Sequence, residues 1–216
     1  MSGIPGLDQV AYLTSDEALR LPEQPKRMAV VGGGYIAAEL AHFFGALGTE
    51  ITLIHRRSTM LREEDPEIAG RFTQVYQRRF NLLLDSQVTG VKPKDGAIEL
   101  SVAVERQGQA HSANIEVDAL LLATGRGPNT DLLAVSNAAV ETDDRGYLKT
   151  DPYLETNVPG IWALGDIVGR YLLKHSANLE ASYAANNIFH PGHKEGLTTT
   201  PCPTLSLPRP RSPAWD

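Results

Sequence analysis

The sequence predicts an α/β protein built on a parallel sheet, with an antiparallel β-ribbon and a second stretch of strand and helix patterns beyond it. Three observations predict it. Met28-Ala-Val-Val31 feeds a glycine turn at Gly32-Gly-Gly34, then a run with helical apolar spacing to Leu47, then Glu50-Ile-Thr-Leu-Ile54, which is the order strand, turn, helix, strand. Ile98, Leu100, Val102 and Val104 alternate with other residues, as a half-exposed strand requires. Ala119-Leu-Leu-Leu-Ala-Thr124 is almost wholly apolar and stops at Gly125, the pattern of a strand buried on both faces.

In chain order, residues 1–24 read as a linker, with Ser15 or Asp16 capping one helical turn before Pro22. Residues 25–134 form the first domain. Its opening βαβ unit is Rossmann-like and doubly wound, and Gly48 stops its helix. Asp65-Pro66 is a cap followed by proline at the first helical position, and Ile68, Phe72, Val75, Tyr76 and Phe80 mark the face expected to cover the sheet. Leu82–Leu84 and Val88–Val91 read as strands. The alternating ribbon turns near Gln107-Gly108 and pairs with Ile115–Val117. Residues 135–190 form the second domain, with strands at Gly146–Thr150 and Pro159–Asp166 and a helix over Ala177–Phe189. Residues 191–216 are rich in proline and lack periodicity, so a disordered tail is expected.

The glycine turn points to a dinucleotide. Gly32 permits a tight turn, Gly34 lets the backbone approach a pyrophosphate, and Ala37 allows close packing of helix on strand, so phosphates meet the helix N-terminus. Binders of NAD carry a carboxylate about 20 positions on, for the ribose hydroxyls. Here that position is His55, followed by Arg56, Arg57 and then Arg62. Guanidinium groups bind a 2′-phosphate that a carboxylate would repel, so NADPH is expected ahead of NADH. The bland alternative is a solvated basic loop. Asp166, at a strand end ahead of a helix, is placed to accept a hydrogen bond from a ligand hydroxyl, unless Gly165-Asp166 is only a turn.

Composition excludes several classes. With 20 basic against 26 acidic residues, net −6, nucleic acid is not the expected partner. No apolar run reaches membrane-spanning length and no signal pattern opens the chain, so no membrane partner and a cytoplasmic location are expected. The lone Cys202 cannot build a disulfide framework, a metal cluster or a dithiol.

From Ile4 to Phe189 the chain resembles the class I pyridine nucleotide-disulfide oxidoreductases, the flavoenzyme family of glutathione reductase, dihydrolipoyl dehydrogenase, mercuric reductase and mycothione reductase. The resemblance rests on Gly32-Gly-Gly-Tyr-Ile-Ala-Ala-Glu39, Ala123-Thr-Gly-Arg-Gly-Pro-Asn129 and Ile161-Trp-Ala-Leu-Gly-Asp166. Tyr171-Leu-Leu-Lys-His-Ser-Ala-Asn178, with Arg56 and Arg62, is most similar to mycothione reductase. The resemblance implies that Gly32, Gly34 and Ala37 touch the NADPH pyrophosphate and that Arg56 and Arg62 hold its 2′-phosphate. It also implies that Tyr35 gates the nicotinamide pocket and that Glu39 lies near the nicotinamide and flavin rings. Asp166 would bind the ribityl chain of FAD, making residues 135–190 the C-terminal half of a FAD-binding domain, and the helix near His175 would face the flavin. His55, Gly125, Gly165 and Lys174 complete the expected cofactor-contacting set, and no metal is implied. The family reaction passes a hydride from NADPH to FAD, then electrons to a cysteine pair and a small disulfide substrate.

In that family the first half holds the FAD glycine turn and the cysteine pair, and the last third holds the homodimer interface and a His-Glu couple. None of these segments is recognisable here. The tail after Leu197 can be back-translated so that a shifted frame resembles the start of the family's interface domain, which makes a frameshifted, truncated product the expectation. Such a chain binds NADPH weakly, does not retain FAD and does not turn over. Two alternatives stand beside it: a dihydrolipoyl dehydrogenase-like NAD enzyme fragment, and a non-catalytic dinucleotide-binding module completed by another polypeptide.

Overall fold

A computed structural model describes residues 3–106 and 109–197. Its elements are β1 (Tyr12–Leu13), α1 (Ser15–Ala18), β2 (Arg27–Val31), α2 (Tyr35–Ala46), β3 (Glu50–Ile54), α3 (Pro66–Arg79), β4 (Asn81–Leu83), β5 (Ser86–Lys94), β6 (Ala97–Arg106), β7 (Gln109–Val117), β8 (Ala119–Leu122) and α4 (Lys174–Phe189). The chain divides into two compact units after Gly125, ahead of the expected boundary at 134.

In the first unit, β1-β8-β2-β3-β4 form a parallel sheet, and β5-β6-β7 form a separate antiparallel sheet. Successive side chains of a strand point to opposite faces, so the buried strands need two covers. Met28 and Val30 of β2, Ile51 and Leu53 of β3 and Leu121 of β8 pack with Ala37, Leu40, Ala41 and Phe44 of α2 and Tyr76 of α3. Ala29, Ile54 and Leu120 pack instead with Val88, Val91, Leu100, Val102 and Val117 of the antiparallel sheet. Helices therefore cover one face and a second sheet the other. The ribbon pairs as its alternation predicts, with Leu100 opposite Ile115 and Ile98 opposite Val117. The expected turn at 107–108 lies outside the described residues.

Three readings in this unit are corrected. Residues 1–24 are more than a linker: β1 pairs in parallel with β8 and Leu7 is buried in the core under the antiparallel sheet. Thr14, not Ser15 or Asp16, caps α1. Its hydroxyl accepts from the Asp16 N–H at 3.3 Å, and the Glu17 carboxylate accepts from the Thr14 N–H at 2.8 Å, a reciprocal capping box. In α3 the cap is as expected, Asp65 accepting from the Glu67 N–H at 2.9 Å. Its buried face is rotated, however: Ala69, Thr73 and Tyr76 are buried, whereas Ile68 and Val75 are exposed. Polar anchors set this phase. Thr73 Oγ1 accepts from the Met60 N–H at 3.0 Å, and the Tyr76 hydroxyl donates to the Ala38 carbonyl at 2.9 Å.

In the second unit the segments expected as strands at 146–150 and 159–166 are reduced to single bridges, Thr142 with Leu148 and Glu155 with Trp162. A strand exists only through its ladder, and one bridged pair does not make one. A small core of Val140, Leu148 and Ala163 holds them. α4 starts at Lys174, earlier than expected. The expected disorder from 191 is also corrected as far as 197. Asn187, fully buried, donates to the carbonyls of Tyr153 (3.0 Å) and Glu195 (2.9 Å) and accepts from the Glu195 N–H (2.7 Å). Lys194 pairs with Glu155 at 2.8 Å, and the Leu197 N–H donates to the Pro152 carbonyl at 3.0 Å. Residues 198–216, with the frameshift reading and Cys202, lie outside the described residues.

Candidate dinucleotide-binding site

The sheet order changes direction between β2 and β8: β3 and β4 extend to one side, β8 and β1 to the other. In open α/β sheets ligands bind at the carboxyl ends of the strands beside such a switch point. The glycine turn stands there. Gly32 has φ +147°, and a methyl group on it would lie 2.3 Å from the carbonyl oxygen of Ala123, just past the end of β8. Gly33 lies under the His55 ring, whose nearest atom would be 2.5 Å from such a methyl. Gly34 is different. It is exposed, and a methyl there would meet nothing within 4 Å. It caps α2 with no side-chain hydrogen bond, so the N–H groups of the first helical turn are left for a ligand. This open backbone fits a pyrophosphate. Ala37 is fully buried, so it serves helix packing and presents no surface to a ligand.

His55 ends the second strand. Its Nε2 donates to the Thr59 carbonyl at 3.1 Å, since a carbonyl can only accept. Burial holds the imidazole below its ordinary pKa, aided by Arg56 and Arg57, so it is neutral at pH 7. Arg56 is exposed and makes no hydrogen bond or ion pair among the described residues. Arg62 is not equivalent: its Nε donates to Glu63 Oε1 at 2.8 Å. Tyr35, at the start of α2, donates from its hydroxyl to the Glu64 carboxylate. Burial, then this carboxylate, pushes the phenol up to about 12. Glu39 is exposed on α2, and Gly125 is exposed with φ +132°.

The second unit carries the other expected residues. Asp166 accepts from Arg126 Nη1 at 2.7 Å through Oδ2, and Arg126 also donates to the Leu172 carbonyl. Gly165, at φ +73°, donates its N–H to the buried Glu180 carboxylate at 2.5 Å. Lys174 and His175 are exposed in the first turn of α4, which has no side-chain cap. Beside them Ser176 Oγ is buried with no partner among the described residues. Asp166 Oδ1 and this uncapped helix suit one wall of a flavin site.

Sequence reasoning missed Glu64, Glu180 and the engagement of Arg126. The acidic pair Glu63-Glu64 directly after Arg62 was a visible signal. Glu180 gave none, because its partner is a backbone N–H supplied by a distant turn.

The family profile described as "Pyridine nucleotide-disulphide oxidoreductase" matches residues 1–181. Among curated relatives, a mycothione reductase of Mycobacterium tuberculosis is 38% identical over 83% of this chain and 37% of its own length. A dihydrolipoyl dehydrogenase of Haemophilus influenzae is 35% identical over 93% of this chain and 41% of its own. A mercuric reductase of Staphylococcus aureus is 40% identical over 85% and 33%. The chain thus spans well under half the length of these relatives. The solved structure of the HOCl-induced flavoprotein disulfide reductase RclA from Escherichia coli superposes with a TM-score of 0.79 at 26% identity, over 91% of this chain and 43% of that one. With its glycine turn at the sheet's switch point and a family match over residues 1–181, the chain belongs to the pyridine nucleotide-disulphide oxidoreductase family.

Proposed function

We propose that this chain is the nucleotide-binding part of a flavin-dependent NADPH:disulfide oxidoreductase of the mycothione reductase type. The observation that carries the reading is the open Gly34 backbone at an uncapped helix, with the exposed Arg56, unpaired among the described residues, on the adjoining loop. In this reading the first turn of α2 binds the pyrophosphate and Arg56 holds the 2′-phosphate. Tyr35 and Glu39 border the nicotinamide, with His55 and Gly125 at the walls. Asp166, Gly165, Lys174 and His175 contribute to a FAD site. Bound flavin would supply the two-electron relay from the nicotinamide to a dithiol. With the single Cys202 the chain has no cysteine pair and reduces no disulfide, and with residues for only one wall of a flavin site it retains no FAD. The complete enzyme would be a cytoplasmic homodimer acting on a small disulfide.

Titrating NADPH and NADH against the wild type and Arg56→Ala tests the reading. The substitution weakens NADPH by about 1.5–3 kcal/mol, the worth of a charged hydrogen-bonding partner, and leaves NADH unchanged. Tighter binding of NADH by the wild type would instead favour the dihydrolipoyl dehydrogenase-like reading. Co-purification with a dithiol-bearing polypeptide would favour the non-catalytic module.

A further inference from the structure

The loop between β3 and α3 carries opposite charges side by side: Arg56 and Arg57, then Arg62, then Glu63 and Glu64. It is fastened at two points, one on the glycine turn and one at the start of α2. The Leu61 N–H donates to the Gly33 carbonyl at 2.7 Å, and the Tyr35 hydroxyl donates to Glu64. The Glu64 N–H closes a turn onto the Leu61 carbonyl at 2.9 Å, with Leu61 itself buried at φ +50°. Arg62 and Glu63 therefore project from a short turn whose two ends are held against the dinucleotide site.

We propose that Glu63 is a specificity-determining residue of this site, withholding Arg62 from a 2′-phosphate and so lowering the preference for NADPH over NADH. The inference rests on the reading above, that the glycine turn and Arg56 bind a pyridine dinucleotide. The Arg62–Glu63 pair has side chains 61% and 78% exposed, so it is weak and can be exchanged. A phosphate dianion competes for Arg62 better than a carboxylate does, but the displaced Glu63 stays on the neighbouring residue and repels it. A dinucleotide with a free 2′-hydroxyl meets no such repulsion. Glu64 does not share this role, because Tyr35 engages its carboxylate. Arg56 has no carboxylate partner among the described residues and supplies attraction that Glu63 partly cancels.

Glu63→Gln removes the charge and keeps the shape. NADPH and NADH are titrated by nicotinamide fluorescence, and adenosine 2′,5′-bisphosphate and ADP, the fragments that isolate the adenosine end, by their displacement of that signal. The variant should bind NADPH and the bisphosphate about 3–10-fold more tightly, with NADH and ADP changed less than about twofold, and the gain should shrink as salt screens it. Glu63→Asp keeps the charge and should retain the wild-type ratio. An unchanged NADPH-to-NADH ratio in Glu63→Gln, or equal tightening of both, overturns the proposal. If Arg56→Ala still selectively weakens NADPH in that case, the parent reading survives and only the role of Glu63 fails. Failure of the wild type to bind either dinucleotide would sink both.

Discussion

Three adjacent glycines do three different things. Gly32 answers to the strand beside it, Gly33 to a histidine ring, and Gly34 to open space. Substitution separates these roles. Gly34→Val should leave the melting temperature within about 2 °C, as surface changes usually do, while reducing dinucleotide affinity at least about tenfold by blocking close approach of the phosphates. Gly32→Ala should instead cost about 1–3 kcal/mol in a denaturant titration, because a methyl group is forced against the Ala123 carbonyl. Equal losses of stability in the two variants would contradict this division. The tight turn at Gly32 and the open backbone at Gly34 were legible from the spacing of the motif. The partner of Gly32 was not, because contact with Ala123 depends on which strand returns beside β2, and a local pattern does not encode that.

The elements were legible where periodicity dominated and not where single polar groups set the phase. The strand–turn–helix–strand unit and the alternating strands of the ribbon follow from apolar spacing. In α3, Ile68 and Val75 suggested one face, but the hydroxyls of Thr73 and Tyr76 found backbone partners and turned the helix toward another. The cap of α3 was correctly placed, and Asp65→Ala should destabilise the protein by about 0.5–2 kcal/mol in a urea melt. On the antiparallel sheet, Glu99 sits between Lys92 and Lys94, each at 2.8 Å. Their hydrogen bonds hold its carboxyl down at about 2, below its ordinary 4.5. Since the folded value is the depressed one, the pairing contributes fully above pH 4.5 and is lost as pH falls from about 4.5 to about 2. Proton titration of Glu99 by NMR checks this, and Lys92→Met should move the midpoint upward.

For the whole molecule, the two units are unequal. The first has apolar clusters on both faces of its parallel sheet, whereas the second relies on a small cluster around Val140, Leu148 and Ala163. The second unit also leaves Leu132 79%, Leu133 63% and Phe189 78% exposed. Apolar surface of this kind favours association. Light scattering should show the apparent mass rising with concentration, and Leu132→Glu with Leu133→Glu should reverse that. The parallel sheet carries one more consequence. β1 is only two residues long, yet it lines the outer rim of β8, the strand that leads to Gly125. Trimming the chain back to the glycine motif in search of a minimal nucleotide binder would strip that rim, leave a row of bare amides, and invite neighbouring molecules to zip together there.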